Sequence, residues 1–351
     1  MVSELSTPAL SCFNTLAQNG TSKGLKTPII VKGNGSDLNN IKALRGRAKR
    51  KMITQAMVLS LIDVTENTGN DERKKGYWNT YYCQNKIYTA NGRLYGKYCK
   101  NRFCTLCCSI RKAEIINKYL PVIQTWSDPY FLTLTIKARS LVNLNKFMKG
   151  VLKAFQLINS KYRKRNIRGK GIKLMGVKSL ECNFNPVKRT YNPHLHLIVP
   201  NKEIVDILIV EWLKIWGPKF THRAGQHSTP VKDREKALIE IIKYGSKIFT
   251  EPDVNKKSKS SGQAKIHALA LDNIFKAMKE IRIFERFGFN LPKDLDLYKT
   301  GATLVSDYDE WIFDPQKFDW LNLADEKCLS EYIPLLELKN LLENSIDKDI
   351  Y

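Results

Sequence analysis

Apolar and polar positions first fall into regular order at residue 130. In YFLTLTIKA the β-forming residues alternate with a period of two, which predicts a strand. Across 140–159 the period becomes helical, with Leu144, Phe147, Met148, Val151, Leu152, Phe155 and Ile158 at the spacing of one apolar face. LMGVKSLECNF predicts a second strand and YNPHLHLIVP a third, the gap between them suiting a hairpin with an extended loop. Helices are predicted over 203–216, 231–249 and 265–287, the last two joined by the basic, low-complexity stretch DVNKKSKSSGQAK. The chain has no internal repeat.

The third strand carries chemistry. Residues i and i+2 of a strand share a face, so His194 and His196 project together while Leu195, Leu197 and Val199 point the other way. Two imidazoles side by side on a rigid strand are half a metal site, the bland alternative being core histidines with ordinary hydrogen-bond partners. Glu181, an acidic residue within the apolar second strand, is the candidate third ligand, because a divalent ion would supply the counter-charge it needs. Its alternative is a strand-end carboxylate facing solvent.

The helix predicted over 231–249 contains EIIKYGSKIF. At about 100° per residue, Glu240, Tyr244 and Lys247 fall in a sector about 60° wide, beside the stripe of Ala237, Leu238, Ile241, Ile242, Ile248 and Phe249. Alone this reads as a boundary tyrosine among surface charges. Together with a metal held by two imidazoles and a carboxylate it describes a reaction, in which a tyrosine attacks phosphorus and the DNA 3′-oxygen leaves.

Charge supports a nucleic-acid substrate. The formal net charge is +24, and residues 291–351 hold 6 Lys+Arg against 14 Asp+Glu, which leaves +32 on residues 1–290. Such an excess calls for a polyanion, since neutralised phosphates release condensed counterions. KYRKRNIRGKGIK (161–173) is basic at seven of thirteen positions and suits a mobile DNA-contacting loop through Arg163, Lys164, Arg165, Arg168 and Lys170. KALRGRAKRK (42–51), basic at six of ten, reads as part of a solvated tail over 1–70 that adds sequence-independent affinity. No apolar run approaches the ~20 residues that span a bilayer and the N-terminus lacks signal-peptide features, so the expectation is a cytoplasmic protein with no membrane partner. No G-x-x-x-x-G-K-[ST] motif is present, and hence no recognisable nucleotide-driven motor.

Five of the eight cysteines crowd into residues 83–108. In a reducing compartment this suggests metal rather than disulfides. Cys83, Cys99, Cys104 and Cys107, as C-x15-C-x4-C-x2-C, could close a structural Zn²⁺ site, with Cys108 a competing ligand and buried free thiols the alternative.

GVKSLECNF, NPHLHLIV and EIIKYGSK together resemble the rolling-circle replication initiators of small bacterial plasmids, in the HUH endonuclease class with one active-site tyrosine. YCKNRFCTLCC and YFLTLT are also similar, so the resemblance runs from about residue 77 to 250. It implies His194 and His196 as metal ligands, Glu181 as the acidic third ligand, Tyr244 as the nicking nucleophile and Lys247 as its associated lysine. Glu240 matches the glutamate that activates water in termination. Gly245-Ser246, just beyond the tyrosine, departs from a firm helix.

The implied fold is α+β, an HUH-endonuclease-like central antiparallel sheet flanked by helices with a cysteine-rich N-terminal segment. The implied cofactors are Mg²⁺ or Mn²⁺ at the nicking site. The implied partners are single-stranded or hairpin origin DNA, a host helicase, DNA polymerase and single-strand-binding protein. The expected division is a basic tail (1–70), a cysteine-rich zinc segment (71–115), a nicking domain (116–290) and an acidic extension (291–351). Competing readings are a relaxase or single-tyrosine transposase with the same chemistry, and a non-catalytic zinc-containing DNA-binding regulator.

Overall fold

A computed structural model describes residues 27–32, 35–66, 71–243, 262–292, 302–336 and 338–339. The first part of the chain forms β1 (Ile29–Lys32), β2 (Ser36–Asp37), α1 (Ile41–Glu66), α2 (Asp71–Tyr81), β3 (Lys86–Ala90), β4 (Arg93–Gly96) and α3 (Thr105–Gln124). Next come β5 (Tyr130–Thr135), α4 (Leu144–Ile167), β6 (Gly176–Asn185), β7 (Thr190–Val199), α5 (Lys202–Phe220), β8 (His227–Pro230) and α6 (Arg234–Lys243). The last elements are α7 (Gly262–Ala277), β9 (Phe284–Phe287), β10 (Ala302–Val305), β11 (Asp309–Asp314) and β12 (Asp319–Asn322). The fold is α+β, and among the described residues all strand pairs are antiparallel.

The principal sheet has the order β8-β5-β7-β6-β9, with the histidine strand at its centre. Asn185 Oδ1 accepts from the backbone of Val187 and Lys188, which closes the turn between β6 and β7 and fixes their register. One face of the sheet, through Leu132, Leu134, Leu180, Leu195, Leu197 and Val199, packs on α4, α5 and α7. From α4 it meets Met148, Val151, Phe155 and Ile158, all from the apolar stripe. Fully burying each such Leu contributes about 1.5–3 kcal/mol, so this face locks the register of the other. The opposite face, through Phe131, Val177 and Ile198, meets α3 and α6.

The second sheet, β12-β11-β3-β4-β2, joins distant parts of the chain. β11 pairs with β3, and Trp320 on β12 donates to the Gln84 carbonyl at 2.7 Å. The acidic segment from 302 onward therefore builds on the cysteine-rich segment instead of standing apart as an extension. β1 and β10 form a separate two-stranded pair. The two halves are tied together: Tyr77 and Arg73 of α2 reach the buried Asp272 of α7 at 2.7 and 3.0 Å, and Arg102 donates to the carbonyls of Met278 and Ile281.

Other expectations are corrected. Residues 41–66 are a helix, not a solvated tail, because Ala48, Thr54, Val58 and Leu61 are wholly buried. The basic run 42–51 lies in that helix with Arg47 and Lys51 buried. The helix predicted over 265–287 ends at Ala277, and FERF is a strand because it finds an open sheet edge at β6. Of the supposed loop 161–173, residues through Ile167 continue α4. α5 runs further than 203–216, but Gly217 takes φ +64° and Pro218 follows, so the helix breaks there. Among the described residues no helix is long and apolar enough to cross a membrane.

Candidate functional site

The hairpin register converts sequence spacing into a site. On β6, Glu181 lies opposite His194 and Ser179 opposite His196; on β5, Thr135 lies opposite His194 and Thr133 opposite His196. Directly opposed residues share a face, so two histidines, a carboxylate and two threonines converge. His194 Nε2 and His196 Nε2 are 3.0 Å apart, and Glu181 Oε2 is 3.1 Å from the first and 2.8 Å from the second. All three side chains are buried, yet they edge an open cavity of about 290 Å³ whose other walls are Thr133, Thr135, Asn183 and Asn192.

Each imidazole is aimed by its other nitrogen. His194 Nδ1 donates to the Asn192 carbonyl at 2.9 Å, which turns Nε2 towards the triangle. His196 Nδ1 bonds Thr133 Oγ1 at 3.0 Å. Asn192 is itself pinned by Thr135 Oγ1 at 2.9 Å and the Ile136 carbonyl at 2.7 Å. Burial would raise the Glu181 carboxyl, but hydrogen bonds from His194 and His196 outweigh it and hold the group below the ordinary carboxylate range. Ligand atoms on adjacent vertices of an octahedron with bonds of about 2.1 Å lie about 3.0 Å apart, and the triangle fits that edge.

α6 packs on this same face. Leu238 and Ile241 are wholly buried, in one cluster with Val177 and Ile198, and Asp233 caps the helix by accepting from Lys236 N at 2.9 Å. Glu240 is half-buried on α6. Tyr244 and Lys247 lie outside the described residues. Arg163, Lys164 and Arg165 end α4, with Arg168 and Lys170 just after; all are exposed, on the layer opposite the histidines.

The cysteines form a second centre. One ligand atom from each of Cys83, Cys99, Cys104 and Cys107 lies within 4.8 Å of every other. Cys107 Sγ is 3.7 Å from Cys83 Sγ and 3.6 Å from Cys99 Sγ, close to the ~3.8 Å edge of a tetrahedron with 2.3 Å metal–sulfur bonds. Backbone N–H groups of Cys99 and Lys100 donate to the sulfurs of Cys83 and Cys107 at 3.4 and 3.3 Å. Hydrogen bonds from Cys104, then from Cys107 and Cys83, pull the Cys99 thiol far below its ordinary value. Cys108 is excluded from the group: its sulfur donates to the Arg102 carbonyl at 2.8 Å, and burial pushes it up to about 12.

Sequence reasoning missed Thr133, Asn192 and Lys51. The signal for Thr133 was present, since LTLT puts two hydroxyls on one face of a strand. Lys51 gave none, because only the fold buries it. Its Nζ donates to the carbonyls of Tyr81 and Cys83 at 2.6 and 2.9 Å; burial lowers it to about 8, against the pull of Cys83, Cys104 and Cys99.

Fold and geometry define an α+β protein with a two-histidine, one-carboxylate centre on an antiparallel sheet and a separate four-cysteine centre. The chain belongs to the Rep family. It is similar to a Staphylococcus aureus protein named Protein rep, 30% identical over 176 residues, which covers 46% of this chain and 72% of that one. A Bacillus amyloliquefaciens Protein rep is 26% identical over 229 residues, covering 56% of this chain and 62% of the relative. A third, from Bacillus sp, is 26% identical over 172 residues, covering 45% and 51%. No family model and no solved structure matches the chain.

Proposed function

We propose that the protein is a plasmid rolling-circle replication initiator that nicks single-stranded origin DNA through a tyrosine. The observation that carries this reading is the Glu181–His194–His196 triangle, in a chain whose relatives are named Rep. The three residues would hold one divalent cation, Mg²⁺ or Mn²⁺, which would supply Lewis-acid polarisation of a phosphodiester oxygen. The octahedral edge length favours those ions here, as the tetrahedral sulfur edges favour Zn²⁺ at the cysteines.

Tyr244 directly follows the last described residue of a helix packed on the metal face, which supports its role as nucleophile. Its oxygen bonds to phosphorus as the bond to the 3′-oxygen breaks, leaving a 5′-phosphotyrosine and a 3′-hydroxyl primer. Lys247, three residues on, offsets charge near the phenolate. Glu240, one turn before Tyr244, orients the water that ends the cycle by hydrolysis. Arg163, Lys164, Arg165, Arg168 and Lys170 contact DNA phosphates. A host helicase, DNA polymerase and single-strand-binding protein would extend and coat the product, since the chain has no motor motif. The test is to incubate the protein with Mn²⁺ and a labelled origin hairpin: a covalent adduct is expected, and it should vanish in Tyr244→Phe. An adduct that persists in that variant assigns the attack to another residue.

A further inference from the structure

Between Asp128 and Glu181 the chain has no acidic residue and thirteen Lys or Arg. α4 occupies the middle of this stretch, with seven basic residues and no acidic one. Helical geometry sorts them. At 100° per residue Lys146, Lys149, Lys153 and Lys164 fall within about 60° of one another, on a stripe about 27 Å long. All four are exposed, and none pairs with a carboxylate among the described residues. Lys161, off the stripe, is the α4 cation that does pair, with Glu211 at 2.7 Å. Positive charge along a rigid helix that carries no acidic residue costs self-repulsion, which a bound polyanion would relieve.

The stripe lies away from the metal centre. α4 buries Met148, Val151, Phe155 and Ile158 against the Leu195–Leu197–Val199 face, and the histidines point from the other face. A strand held at His194 and His196 is thus separated from the lysines by the sheet. Apart from Lys161 and Arg163, the exposed positions between the lysines are Gln156 and Leu157, with no exposed aromatic ring on which an unpaired base could stack. Lysine is a flexible point charge suited to phosphate without base readout.

We propose that the outer face of α4 is a second DNA-binding surface, one that holds the phosphate backbone of duplex DNA flanking the nicking site. A 27 Å stripe matches about eight phosphates along one strand at 3.4 Å each. The ridge continues into the basic end of α4 and separates duplex anchoring from strand cleavage. It rests on the nuclease reading only for the identity of the DNA, and its first test, duplex binding, needs no cleavage.

The experiment compares the full chain with the triple variant Lys146→Gln, Lys149→Gln, Lys153→Gln, by anisotropy on a labelled duplex of arbitrary sequence across a salt series. Three lost phosphate contacts should flatten the slope of log K against log[salt] by about 2.7, so between 50 and 200 mM salt the wild type should lose about 40-fold more affinity than the variant does. Equal slopes overturn the proposal. On the same variant, adduct yield with a short single-stranded oligonucleotide should be retained; a parallel loss would place the cleaved strand on α4 and also overturn it. If the wild type forms no adduct while the duplex slope still flattens, the nuclease reading fails and the ridge stands. If the variant loses binding to phosphatidylserine vesicles with duplex affinity unchanged, the ridge serves a membrane and the proposal is wrong.

Discussion

Thr133→Val isolates one hydrogen bond on which the metal reading depends. His194 is oriented by a main-chain carbonyl, which substitution cannot remove, whereas His196 is oriented by the Thr133 hydroxyl at 3.0 Å. Valine keeps the branched shape and the strand preference but leaves Nδ1 of His196 without that partner. Loss of such an outer hydrogen bond typically weakens metal binding about 10- to 100-fold, or roughly 1.4–2.8 kcal/mol. Losing one partly buried hydrogen bond costs the metal-free fold only about 1 kcal/mol, a melting shift of about 1–2 °C in a protein of this size. The assay is Mn²⁺ titration by calorimetry on wild type, Thr133→Val and His194→Ala, with melting followed in chelator. Expected is graded loss of affinity, with His194→Ala the weakest binder. Wild-type affinity in Thr133→Val would refute the orienting role. Unchanged affinity in His194→Ala would sink the metal assignment altogether.

Other outcomes follow from the same geometry. Glu240→Gln should nick normally but accumulate covalent protein–DNA product on an origin template, seen as a shifted band; loss of the first nick as well would move Glu240 into the nicking chemistry. Chelation should release one zinc per chain and open Cys83, Cys99, Cys104 and Cys107 to iodoacetamide, with Cys108 lagging because it is pushed up to about 12 and bonded to Arg102; peptide mapping by mass spectrometry reads both. Deletion of residues 1–70 should lower the melting temperature by well over 10 °C or abolish folding, because it removes the buried Ala48, Val58 and Leu61 of α1; a deletion variant that melts like the full chain would show that α1 is dispensable.

The sequence alone determined whatever depends on a repeat of two or 3.6 residues. His194 and His196 share a face because a strand alternates, and α4 is legible because its apolar residues return every turn. The C-x2-C spacing marked out the cysteine centre for the same local reason. Pairing between distant segments was not legible. Glu181 meets the histidines only because a turn at 186–189 sets one register of two possible faces. Cys108 looks equivalent to Cys107 until the fold turns its sulfur to the Arg102 carbonyl. FERF reads as helix and becomes strand because β6 offers it an edge. Lys51 sits in a run of surface-like charge and is buried beside Cys83, while the acidic segment after 302 supplies strands to a sheet begun at residue 36. Such contacts close loops of tens to hundreds of residues, and the free energy that selects them comes from burial and hydrogen bonds between surfaces that no local window contains.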